Sequence, residues 1–203
     1  MSNSQIAILD KTSHFDWLKS QVANNPTKVS IASHGIYAGI TYTGDDSVKW
    51  GDEYHLETRD IIDSLKDLHN VRILIGNSDY KSCKGKSQCI HCERQYVKSL
   101  LRLVNHAEFF NKYQWKMTTG LHLNAYMFEY DDRSTGLYSG RNLSDPYLDR
   151  IDCSIELSAT NCSVVIDYFN DIWSKSLDIN ESTISDLMAG QDISEEGFKA
   201  AYL

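Results

Sequence analysis

The sequence predicts an α/β domain: a mixed β-sheet flanked by helices. Three observations carry this. The first seventy-odd residues read helix, strand, helix, strand. Residues 120–128, GLHLNAYMF, alternate between two faces as a strand does. A second alternating run, 151–157, leads into a helical stretch at 162–175.

A first helix is expected over 11–23, with Phe15, Leu18 and Val22 on one face and Asn24-Asn25-Pro26 ending it. Lys28–Ser33 (KVSIAS) follows as a strand of small and β-branched residues. Residues 55–69 have helical spacing through Ile61, Leu65 and Leu68, and Val71–Gly76 (VRILIG) is a compact buried strand. A long helix is expected over 93–111, through Val97, Leu100, Val104 and Phe110. Residues 113–130 form the most strand-like stretch. Within it His122, Asn124, Tyr126 and Phe128 share one face, and Leu123, Ala125 and Met127 share the other. The turn DDRSTG at 131–136 makes LYSGRNLS a hairpin partner. In the 151–157 strand, Ile151, Cys153, Ile155 and Leu157 oppose Asp152, Ser154 and Glu156. The domain is expected to span 1–177. After it, six acids against Lys199 mark 178–203 as an acidic C-terminal helix or tail.

With 203 residues, 41% hydrophobic and 24% charged, the chain can bury a core as one ordinary domain. No apolar run approaches the roughly 18 residues of a membrane span. The opening MSNSQIAILD lacks a basic n-region, so a cytoplasmic protein without membrane attachment is expected. The net charge of −8 disfavours unspecific adhesion to polyanions, yet the charge is segregated. Between Lys81 and Arg102, Lys81, Lys84, Lys86, Arg94, Lys98 and Arg102 face only Glu93. Contact with a phosphate backbone calls for such a local excess.

The same region holds Cys83-x5-Cys89-x2-Cys92 within a basic insertion at 80–92. In a reducing compartment this cluster reads as a structural zinc site, three thiolates sharing one tetrahedral ion. His91, His106, Cys153 and Cys162 are the candidates for a fourth ligand.

His122 and Asn124, at i and i+2, project side by side from a strand. Asn142 follows at the end of the hairpin partner, in Ser139-Gly140-Arg141-Asn142. An imidazole with flanking amides and a small-residue turn makes a phosphate pocket: the ring attacks phosphorus, and the amides hold the non-bridging oxygens.

These elements resemble the phospholipase D superfamily. Its signature is H-x-K, four residues, an Asp, and then G-S-x-N on the next strand. Here the chain reads His122-Leu123-Asn124, then Glu129, then Ser139-Gly140-Arg141-Asn142. KVSIASHGIY and VRILIG look like the family's first two strands, and IDCSIELS with DYFNDIW like its closing strand and helix. The resemblance implies a phospholipase D-like mixed central sheet. It also implies a metal-independent phosphodiesterase, a nuclease in view of the basic segment. His122, Asn124, Asn142 and Glu156 are then catalytic, with Glu156 orienting the imidazole. Ser139, Arg141, Lys81, Lys84 and Lys86 bind substrate. The family uses two histidines, and this chain has one motif copy, so the resemblance implies a homodimer.

Asn124 stands where the family has Lys. An amide donates a hydrogen bond without charge, and losing such a donor costs roughly 3–4 kcal/mol of transition-state stabilisation. Arg141 or Lys116 is the expected substitute cation. The same replacement supports a second reading, a weakened phospholipase D-like protein that binds nucleic acid or a nucleotide without cleaving it. A third reading is a lipid or small-molecule phosphodiesterase or phosphatidyl transferase.

Overall fold

The computed structural model describes residues 8–9, 11–33, 41–42, 48–49, 65, 67–77, 112–119, 121, 123–140 and 153–180. The expected helices over 55–69 (save Leu65 and 67–69) and 93–111, the cysteine insertion, and residues 181–203 of the acidic tail lie outside the described residues.

Among the described residues the elements run in the order β1 (Ile8–Leu9), α1 (Lys11–Ala23), β2 (Lys28–Ser33), β3 (Thr41–Tyr42), β4 (Val48–Lys49), β5 (Val71–Asn77), β6 (Gln114–Thr119), β7 (Ala125–Glu129), β8 (Ser134–Ser139), β9 (Ser154–Leu157), α2 (Ala159–Lys175) and β10 (Leu177–Asp178). Eight strands form one mixed sheet in the order β1-β9-β8-β7-β2-β5-β6-β10, and β3 pairs with β4 apart from it. β2, β5 and β6 are parallel neighbours. All other pairings in the large sheet are antiparallel.

β2 lies between β5 and β7, and all of it beyond Lys28 is buried. That explains its run of small and branched residues: a strand covered on both faces has no polar side to show. One face packs Val29, Ile31, Ile73, Ile75, Tyr126, Phe128 and Leu137 against Leu18 and Val22 of α1. The opposite face packs Ala32, Leu74, Ala125 and Met127 against Cys162, Ile166 and Phe169 of α2. The expected alternation in β7 therefore holds, with Tyr126 and Phe128 on one layer and Ala125 and Met127 on the other.

α1 ends as the sequence predicts. Asn25 takes a left-handed φ of 52°, and its N–H donates to the carbonyl of Val22 at 3.0 Å. Asparagine tolerates that conformation, and Pro26 blocks further helix. The buried positions of α1 are His14, Leu18 and Val22, with Phe15 partly covered. α2 begins three residues earlier than its apolar pattern suggests, because the Ser158 side chain caps it by accepting from the Asn161 N–H.

One expectation is corrected. The strand-like stretch 113–130 is two strands, β6 and β7, with β2 and β5 between them. β6 and β7 are therefore not paired with each other, and Lys116, expected as a substitute cation, sits over the Trp173 ring at 5.5 Å and pairs with Asp178 at 3.4 Å. Asp178, the first residue of the expected acidic tail, continues β10, and Ile179 is buried in the α1-side core, its N–H donating to the Trp115 carbonyl. Pairing with β6 and the burial of Ile179 outweigh the acidic composition there.

Gly136 of β8 packs closely against Cys162 of α2. A Cβ there would meet Cys162 Sγ at 2.9 Å and the Tyr126 carbonyl oxygen at 3.2 Å. Burial pushes the Cys162 thiol up to about 11 from an ordinary 9.0. The unfolded chain thus ionises this thiol first. Its contribution to stability is whole below pH 9 and is lost as the pH rises to about 11. Denaturant titrations should show wild-type stability falling more steeply than that of Cys162→Ala across this interval. In the native protein at pH 8, iodoacetamide should modify exposed Cys153 and spare buried Cys162, as read by peptide mass mapping.

No helix among the described residues is long and apolar enough to cross a membrane.

Candidate functional site

The register brings the motif-bearing strand ends to one edge of the sheet. β2 ends at Ser33 beside Ile75 of β5, and β5 ends at Asn77 beside Thr119 of β6. On the other side Ala32 pairs with Ala125 at the start of β7, and Ala125 pairs with Tyr138 of β8. Ser139, the last residue of β8, pairs with Ser154, the first of β9. This is the carboxyl edge of the parallel strands, where α/β sheets form their ligand crevice.

The two halves of the motif are thereby joined. The Ser139 N–H donates to the Asn124 carbonyl at 2.9 Å, and the Gly140 N–H donates to the Cys153 carbonyl at 3.2 Å. The segment leading into β7 and the turn leaving β8 are adjacent, as the hairpin reading requires. Asn124 is 8% exposed. His122, Arg141 and Asn142 lie outside the described residues, as do Lys81, Lys84 and Lys86 and the zinc candidates Cys83, Cys89 and Cys92. Among the described residues no group of three or more His, Cys, Asp or Glu could hold a metal ion.

Ser139 faces inward. It is 3% exposed, and its hydroxyl lies 2.8 Å from that of Ser154. Ser154 is fully buried, and its hydroxyl lies 2.8 Å from His14 Nδ1. Glu156 is exposed, opposite Leu137 and two residues further from the edge than Ser154. It shares the α1 side of the sheet with Ser154. Glu129, at the family's Asp position, lies at the opposite end of β7 and pairs with Lys28 at 2.8 Å. Its role is in the sheet, so a glutamate there does not touch the site chemistry.

Sequence reasoning missed His14 and Ser154. His14 was visible as the first of three positions spaced by four, before Leu18 and Val22, which share one face of a helix. Ser154 was visible as the polar residue that pairing places beside Ser139.

No family model matches the sequence, and no curated protein matches it. The fold, α/β with a mixed central sheet, is similar to that of solved structures that include a phospholipase D family member. NucT from Helicobacter pylori superposes with a TM-score of 0.53 at 11% identity, covering 86% of this chain and 99% of that one. Nuc from Salmonella typhimurium, a phospholipase D family member, gives 0.51 at 9% identity over 87% of this chain and 99% of its own. Phosphatidylserine synthase from Haemophilus influenzae gives 0.62 at 14% identity, covering 96% of this chain and 44% of the synthase. At these identities the likeness establishes the fold; the chemistry must come from the residues.

Proposed function

We propose that the chain is a phospholipase D-like phosphodiesterase that cleaves nucleic acid without a catalytic metal, as a homodimer. The observation that supports this most is the junction of the two motif elements. Antiparallel pairing of β7 and β8, closed by the Ser139 to Asn124 backbone bond, joins one described residue of H-L-N to one of S-G-R-N, which supports a shared site for the two elements.

In this reading an imidazole nitrogen of His122 attacks phosphorus, and the bond from phosphorus to the leaving oxygen breaks. The partner subunit's His122, as imidazolium, gives that oxygen its proton. Now neutral, it takes a proton from water, which attacks phosphorus and frees the first imidazole. Asn124 and Asn142 hold the non-bridging oxygens, with Arg141 supplying the charge that Asn124 lacks. Glu156 orients an imidazole. Lys81, Lys84 and Lys86 carry the polymer backbone. Cys83, Cys89 and Cys92 hold a structural zinc, and the reducing cytoplasm is where such thiolates stay free for metal.

The test is cleavage of single- and double-stranded DNA and RNA in EDTA, with wild type and His122→Ala compared. Cleavage that resists EDTA and vanishes in the variant is expected. Activity that requires added metal would contradict the proposal. Raising salt from 50 to 200 mM should weaken polymer binding steeply, by a factor of about 10³ if some six phosphates are contacted. Cleavage of a phosphatidyl substrate with little dependence on salt would instead favour a lipid enzyme.

A second reading follows from Asn124: nucleic-acid binding without turnover. Equal binding by wild type and His122→Ala, with no cleavage by either, would establish it. Metal analysis of protein purified without chelator should give one zinc per chain, and Cys89→Ser with Cys92→Ser should abolish it. Zinc-free wild-type protein would remove the metal from the account.

A further inference from the structure

We propose that His14, Ser154 and Ser139 form a buried positioning chain on the α1 side of the sheet, reaching from helix α1 to the end of β8, and that turnover at the candidate site depends on it. This inference rests on the phosphodiesterase reading for its effect on turnover, and on the geometry alone for its effect on the turn.

The chain has three members on three elements. His14 is on α1, Ser154 begins β9, and Ser139 ends β8. Nδ1 of His14 lies 2.8 Å from Ser154 Oγ, which lies 2.8 Å from Ser139 Oγ. All three side chains are buried, His14 at 1% exposure. The imidazole is wedged edge-on against Phe15 and Tyr126, with ring centroids 5.1 and 5.3 Å away. It therefore has little freedom to leave its partner.

The Ser154 hydroxyl has one proton and two lone pairs, so it donates to one neighbour and accepts from the other, or accepts from both. Every such arrangement ties Ser139 to helix α1. Leaving a buried hydroxyl or imidazole nitrogen unpartnered is costly, which makes the three positions interdependent.

Ser139 is where the tie acts. Its backbone N–H bonds Asn124, and the next N–H, that of Gly140, bonds Cys153. Arg141 and Asn142 follow directly. A loosened Ser139 frees the start of the turn that carries them. A misplacement of about 1 Å in a phosphate-holding group costs on the order of 100-fold in rate, though the group itself is intact. His14, Ser154 and Ser139 thus act through other residues and touch no substrate.

Turnover of bis(4-nitrophenyl) phosphate and amide hydrogen exchange test this together. Ser154→Ala and His14→Leu should lower kcat at least about 10-fold with KM within about twofold, because they disturb placement and not ground-state binding. Exchange at the Ser139 and Gly140 amides should quicken at least about 10-fold, while Ile73 and Leu74 in the sheet centre keep wild-type protection. His14→Asn, which can place an amide near the Nδ1 position, should recover kcat to within about threefold of wild type. Wild-type kcat in folded Ser154→Ala and His14→Leu would overturn the inference, as would unchanged exchange at Ser139 and Gly140. Loss of protection throughout the sheet would also overturn it, since the chain would then support the whole fold and not the turn. If His122→Ala cleaves as well as wild type, the catalytic reading fails, and the exchange result alone decides whether the chain holds the turn.

Discussion

His122→Ala should lose phosphodiester cleavage by at least about 10³-fold while folding normally. One acid–base imidazole is worth about 10² to 10⁴ in rate, and in a homodimer with one motif per chain the substitution removes nucleophile and general acid together. Polymer binding should persist, because the six basic residues from Lys81 to Arg102 are untouched. The pairing of lost cleavage with retained binding distinguishes a chemical defect from a binding one. A variant that cleaves at a tenth of the wild-type rate or better would move the nucleophile elsewhere.

The second large effect is on stability. Phe169 is fully buried in the α2 layer, and it stacks on Trp173 with centroids 5.5 Å apart and planes 21° from parallel. The Arg72 guanidinium lies 5.0 Å from its ring and 5.4 Å from that of Trp173. Arg72 also donates to Ser30 Oγ at 2.9 Å and to Asn170 Oδ1 at 2.8 Å. Burial lowers its pKa, so the rings and these acceptors offset part of a real desolvation cost. Phe169→Ala removes the packing and one face of that cation site at once. The expected loss is about 3–5 kcal/mol, against a total of about 5–15 kcal/mol for a domain. Urea denaturation should show it as a lowered midpoint with an unchanged slope. Val164→Ala, on the exposed side of the same helix, should stay within about 0.5 kcal/mol. Equal effects at the two positions would mean that α2 does not pack as described.

The parts of the fold legible in the sequence are those that local pattern determines. Lys28–Ser33 reads as a buried strand because it is covered on both faces, and Tyr126 and Phe128 separate from Ala125 and Met127 because a pleat alternates. The β7–β8 hairpin follows from its turn residues, and beyond it the Ser139 N–H reaches the Asn124 carbonyl. What depends on pairing between distant segments was not legible. Nothing local in 113–130 says that β6 and β7 are separated by β2 and β5, so Lys116 looked available when it is engaged with Asp178. Acidic composition suggested a tail from residue 178, yet pairing with β6 and the burial of Ile179 draw the chain back into the sheet. A histidine on an apolar helix face gives no hint that its partner is a serine 140 residues away. His122, Arg141 and Asn142 lie outside the described residues, so the motif rests on residue identity at short spacing.

The most direct test of the account is to quench turnover of a short oligonucleotide in base, where a phosphoramidate survives, and to map the protein by mass spectrometry. The account predicts a nucleotidyl adduct on the peptide containing His122, absent from His122→Ala. Robust EDTA-resistant cleavage with no adduct at any histidine, or with the adduct on another residue, would contradict it.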